Sequence, residues 1–121
     1  MARNEEISLL LDFYGEMLTE KQQDCLEYYY NEDLSLSEIA ENEGITRQGV
    51  RDSIKRAENQ LYDMEERLGL VQRFEKMKEG LDEIINCVGI INDYNLHTIS
   101  SDEISRNTAK ITSIANELQA Q

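Results

Sequence analysis

Apolar residues recur along most of the chain at spacings of three and four, the mark of amphipathic helices rather than of strands. In "EEISLLLDFYGEM", Ile7, Leu10, Leu11, Tyr14 and Met17 predict a first helix over 5–17. Thr19 then offers an N-cap, with Gln22 three residues later as its reciprocal partner, and a second helix runs to about Tyr30 with Leu26, Tyr29 and Tyr30 facing the core. After the polar turn 31–33, Ser35 and Glu38 form another capping box for a short helix carrying Leu36, Ile39 and Ala40. Gly44 suits the left-handed residue that closes a helix, Ile45 plugs the angle, and Thr46 caps a further helix. That helix spans Arg47 to about Leu68, with Gly69 as its stop.

From Leu70 the pattern changes. Leu70, Phe74, Met77, Leu81, Ile84, Val88 and Ile91 alternate steps of four and three, a heptad seam interrupted only by Gly80 and Gly89. The polar stretch "NDYNLHTIS" predicts a break. Ser100 with Glu103 then predicts a third capping box, opening a helix with Ile104, Thr108, Ile111, Ile114, Ala115 and Leu118. Two amphipathic helices joined by a loop read as a hairpin. The expected architecture is all-α: a helix-turn-helix bundle over 1–68 and an amphipathic hairpin over 69–121. The hairpin is expected to pack on the bundle or on a dimer partner.

Charge changes this picture. The 121 residues carry a formal net charge of −13, which opposes non-specific binding to nucleic acid and to anionic membranes. The acid is unevenly placed, because Arg47, Arg51, Lys55 and Arg56 share the short stretch 45–56 with a single acid, Asp52. On a wheel turning about 100° per residue, Val50, Ile54, Ala57 and Leu61 form a buried stripe. Gln48, Arg51, Asp52, Lys55, Asn59 and Tyr62 fall opposite, with Arg47 and Arg56 on the two flanks. This is the layout of a major-groove reader, in which helix residues reach base edges and flanking cations meet phosphates. Arg51 suits guanine and Gln48 suits adenine. Asp52 can accept only from a cytosine amino group, and Glu38, Glu41 and Glu43 crowd the helix that would cross the phosphate backbone.

The stretch "LTEKQQDCLEYYYNEDLSLSEIAENEGITRQGVRDSIKRAENQL" resembles the promoter-reading C-terminal region of bacterial sigma factors. In length and in its helical tail, nearly the whole chain is similar to the YlxM-like family of small bacterial helix-turn-helix proteins. The sigma likeness implies a DNA-binding regulator. The resemblance places Thr46, Arg47, Gln48, Arg51 and Lys55 where sigma-like proteins touch DNA, with Gly49 in place of a common alanine and Asp52 an added acid. The reading helix adds Arg56 and Asn59 to the candidate nucleic-acid-binding set. The family resemblance also implies a link to the signal recognition particle pathway. An adaptor that binds the particle's protein or RNA, with no sequence-specific DNA binding, is therefore the alternative.

The remaining residues narrow the chemistry. His97 stands alone with no cluster at metal-ligand spacing, and neither a nucleophile motif nor a glycine-rich phosphate loop is present, so no enzyme and no cofactor are expected. The tyrosine run at 28–30 is expected to pack rather than to stack on bases. Cys25 and Cys87 are expected to be two buried thiols in a reducing cytosol. No segment resembles a signal peptide or reaches transmembrane length, so a cytoplasmic protein without membrane contact is expected. The seam at 70–91 and the helix at 101–118 leave a homodimer open.

Overall fold

The computed structural model describes residues 2–120, with side chains from residue 5 onward. The elements are α1 (Ala2–Tyr14), a 3-10 turn (Gly15–Met17), α2 (Glu20–Leu26), a π turn (Glu27–Asn31), α3 (Leu36–Glu43), α4 (Arg47–Leu68), α5 (Leu70–His97) and α6 (Asp102–Ala120). The fold is all-α. The chain divides into two compact units, one ending at Val71 and the other beginning at Gln72.

The first unit is a bundle in which α4 packs against α1, α2 and α3. Its core joins Ile7, Leu10, Leu11 and Tyr14 of α1 to Leu26, Ile39, Val50, Ile54, Ala57 and Leu61, all buried. The capping boxes at Thr19/Gln22 and Ser35/Glu38 are both closed. Gly44 and Gly69 take left-handed φ values of 68° and 64°, the conformation that only glycine adopts without strain. Tyr14 closes the bundle over a long chain separation: its hydroxyl donates to Glu65 at 2.6 Å and accepts from the Leu70 amide at 3.1 Å. Glu65 also accepts from the Val71 amide.

Two expectations fail here. Met17 is exposed rather than buried, because the chain tightens into the 3-10 turn after Tyr14 and Leu18 takes the inward place. Tyr29 does not face the core. The π turn holds one extra residue per turn, which shifts the helical phase, so Tyr28 and Tyr30 pack against the core and Tyr29 is left exposed.

The second unit is an antiparallel hairpin of α5 and α6. The stretch expected to break the seam is instead helical to His97, so His97 ends a helix rather than sitting in a loop. The polarity of that stretch serves the hairpin. Asn95, fully buried, donates to the Ser101 carbonyl and the Ser105 hydroxyl, and its Oδ1 accepts from the Ser101 amide. Thr108 donates to Asn92 at 3.2 Å, and Gln119 donates to Asp82 at 2.7 Å near the open end. Ser100 has φ 53° and does not cap α6; Ser101 does, accepting from the Ile104 amide.

The heptad seam also drifts. A straight helix turns about 20° away from a strict seven-residue repeat with each heptad. Val88 is buried and Leu81 half-buried, but Ile84 and Ile91 rotate outward and are about half exposed, and Met77 is about half exposed at the open end, where α6 stops. Asn92 and Asn95 bond to α6 in their place, and Ile85 is half-buried. On α6 the inward residues are Thr108 and Ala115, while Ile111, Ile114 and Leu118 point out. Cys87 lies on the same outer flank of α5 and is exposed, contrary to expectation, whereas Cys25 is buried in the bundle. Among the described residues, no helix is long and apolar enough to cross a membrane.

Candidate nucleic-acid interface

The recognition-like helix is α4, and its start is fixed by local chemistry. Thr46 has extended backbone dihedrals, and its hydroxyl accepts from the Gly49 amide at 2.9 Å. A Cβ at position 49 would stand 3.2 Å from that same oxygen, tighter than ordinary contact, so glycine keeps the cap compact. Val50, Ile54, Ala57 and Leu61 lock one side of α4 into the core, as the wheel predicts. The locked stripe forces the opposite side into solvent.

Thr46, Arg47, Gln48, Arg51, Lys55, Arg56 and Asn59 are all exposed. They do not form one patch. Arg51, Lys55 and Asn59 line a cleft of about 540 Å³ together with Tyr29, Tyr30 and Glu58. Arg56 faces the other flank, in a cleft of about 390 Å³ shared with Thr19, Lys21, Gln22 and Asp52. Thr46 spends its hydroxyl on the cap. Gln48 donates its amide to Asp52 at 3.0 Å, so the residue suited to adenine is already engaged by the acid one turn on.

Reading the sequence helix by helix missed two side chains beside this face. Lys21 comes from α2 and joins Arg56 only through packing. Tyr29 reaches the Arg51 cleft only because of the π turn. Nothing in a spacing of three or four signals either one.

Acid stands close by. Glu38 and Glu41 of α3 are exposed, and the Ser35 amide and hydroxyl hold the Glu38 carboxyl below its usual range. Burial pushes the Cys25 thiol up, and the Ser53 hydroxyl opposes that shift only in part. Burial also raises the Tyr28 phenol, with Asp24 adding to it. Both groups therefore stay neutral near pH 7 and add no charge to the bundle. Among the described residues, no group of three or more His, Cys, Asp or Glu could hold a metal ion.

A short capped helix, a glycine turn and a capped second helix with one side buried and one polar define a helix-turn-helix protein. The model of the family described as "Putative helix-turn-helix protein, YlxM / p13 like", UPF0122, matches residues 1–100, and the chain belongs to that family. It is 53% identical over 83 residues to a UPF0122 protein of Desulforamulus reducens, covering 69% of this chain and 71% of that one. It is 48% identical over 87 residues to a UPF0122 protein of Thermoanaerobacter sp. strain X514, covering 72% and 74% of the two chains. A UPF0122 protein of Clostridium kluyveri is 43% identical over 94 residues, covering 77% and 85%.

Proposed function

We propose that the protein is a non-enzymatic, cytoplasmic regulator that binds nucleic acid through the exposed side of α4. One observation carries this reading: Arg47, Arg51 and Lys55 project from a rigidly packed helix on an otherwise acidic protein. A helix of this kind fits the major groove, with Arg51 on a guanine edge and Lys55 and Arg56 on flanking phosphates. Gln48 joins them once the approach of a base edge draws its amide from Asp52.

The hairpin supplies the second copy that paired half-sites require. By helical phase, Met77, Ile84 and Ile91 of α5 share one broad side of the hairpin with Ile111, Ile114 and Leu118 of α6, each 42–52% exposed. Tyr94 lies on the same side and is 67% exposed. Together these residues leave apolar surface in solvent along the hairpin. Such a patch marks an association surface, and a two-fold copy of itself matches its apolar character.

A specific observation favours one arm of the alternative, an adaptor on the signal recognition particle's protein; the same charge disfavours its RNA. Gln48 is tied to Asp52, and the net charge is −13, so base reading is opposed both locally and globally. Fluorescence anisotropy with duplex promoter fragments, random duplex and the particle RNA separates the two. A regulator binds a subset of duplexes, and Arg51→Ala costs about 1–3 kcal/mol on that subset and relaxes specificity at one position. Absence of duplex binding at low salt, with retained binding to the particle RNA, overturns the DNA reading.

A further inference from the structure

The cleft beside the reading helix holds a combination that duplex recognition leaves unused. The π turn brings Tyr29 to its rim, where the ring meets Tyr30 edge-on at a centroid distance of 5.0 Å and an interplanar angle of 89°. Tyr30 is itself held by a hydrogen bond from its hydroxyl to the buried Glu58 carboxylate. Tyr29 is therefore a propped aromatic, 39% exposed, rather than a freely turning surface side chain. Arg51, Lys55 and Asn59 of α4 line the same cleft. No carboxylate among the described residues forms an ion pair with either cation.

An aromatic face, two cations and an amide around one concavity match the parts of a nucleotide. The base stacks on Tyr29, and its amino or imino edge donates to the Asn59 side-chain carbonyl. The phosphate lies on Arg51 and Lys55. A volume of about 540 Å³ admits such a group, since small-molecule sites commonly span about 300–1,000 Å³. A base inside a duplex cannot offer its face, because its neighbours cover it. Only a single strand, a loop or a bulge can.

We infer that the cleft between the π turn and α4 is a site for one unpaired nucleotide, with Tyr29 as its stacking platform. The inference rests on the proposal that α4 binds nucleic acid, and it assigns that helix a second kind of target, a looped or single-stranded segment of RNA or DNA.

The test compares the full-length protein with Tyr29→Ala, Tyr29→Phe and Arg51→Ala. Four probes are titrated: a duplex DNA, a mixed-sequence single-stranded DNA, an RNA hairpin with an unpaired loop, and a fully paired RNA. The single strand and the loop each carry one 2-aminopurine. Tyr29→Ala is expected to weaken the unpaired probes by about ten-fold or more, with duplex binding unchanged. Tyr29→Phe keeps the ring and keeps binding. In the wild type the 2-aminopurine signal is quenched on binding, and in Tyr29→Ala it is not. A preference for the RNA loop or for the DNA strand identifies the source of the nucleotide. If the wild type binds duplex but neither unpaired probe, the cleft site falls and the α4 reading stands. It also falls if Arg51→Ala weakens the unpaired probes and Tyr29→Ala does not. If the wild type binds none of the four, both readings fall together. Thermal melts of the variants confirm folding, and Tyr29→Phe, which removes only an exposed hydroxyl, serves as the folded control.

Discussion

The two units use the same amphipathic vocabulary to opposite ends. Among the described residues, the bundle gathers fourteen buried ones into one core, nearly all of them apolar. The hairpin buries Val88 and Ala115 beside Asn95 and Thr108, and leaves Met77, Ile84, Ile91, Ile111, Ile114 and Leu118 in solvent. An apolar core contributes stability without direction, at roughly 25 cal/mol per Å² removed from water. A hydrogen-bonded seam contributes about 1 kcal/mol net per bond, but it fixes register, since leaving one partner unsatisfied is costly. The bundle is therefore the stable unit, and the hairpin is the specified one with apolar surface to spare.

Cutting into each interior breaks the comparison most directly. Leu61→Ala, at a fully buried site, is expected to cost about 2–5 kcal/mol. Urea unfolding followed by circular dichroism reads it, and a loss below about 1 kcal/mol would mean the core is looser than its packing indicates. Asn95→Ala orphans the Ser101 amide and the Ser105 hydroxyl. It is expected to cost about 1–3 kcal/mol, and amide exchange at residues 96–105 should rise while exchange in α4 stays unchanged. Equal acceleration in α4 would refute the separate roles.

The outer faces come next. Met77→Ser, Ile84→Ser and Ile91→Ser combined should convert a dimer to a monomer by light scattering, with helix content by circular dichroism retained and the melting temperature lowered. A wild type that is monomeric at all concentrations removes the hairpin's proposed role in pairing.

The smallest effects are those of pH. Burial, then the hydrogen bond to Glu65, raises the Tyr14 phenol above its ordinary 10.0. The folded state thus holds its proton more tightly than the unfolded one, so this contribution is complete below pH 10 and is lost as pH rises through the raised value. Cys25, raised from 9.0 mainly by burial, acts in the same direction from a lower starting pH. Both belong to the bundle. Alkaline titration should loosen α1 and α4 before the hairpin, and Tyr14→Phe should flatten the upper part of that loss. A hairpin that opens first would reverse the assignment.

Much of the bundle was legible in the sequence because its signals are local. Thr19, Ser35, Gly44, Thr46 and Gly69 each do what their chemistry dictates within one turn of chain. The side of α4 that faces out follows from the stripe that faces in. The illegible parts are those where a small phase error accumulates or a long-range contact decides. The π turn moved Tyr29 by the extra residue it holds. The drift of a straight helix moved Ile84 and Ile91 off the seam. "NDYNLH" reads as a loop by polarity, yet Asn92 and Asn95 are inward groups with partners on α6. The same limit applies to the interface: Arg47, Gln48 and Arg51 stand out as a helix face, whereas Lys21 and Tyr29 join it only through tertiary packing.

The hydrogen bond between Tyr14 and Glu65 spans 51 residues, and this gives the bundle a clock. A ribosome adding roughly 5–20 residues per second needs about 3–10 seconds to go from one partner to the other. Through that interval α1 carries its apolar side and its phenol without the helix that buries them. The segments of α2 and α3 emerge while α1 waits, each too short to hold a helix without α4. Completion of the bundle is set by the emergence of the end of α4, so a nascent chain stalled before Glu65 should be digested by protease where one stalled well past Val71 resists.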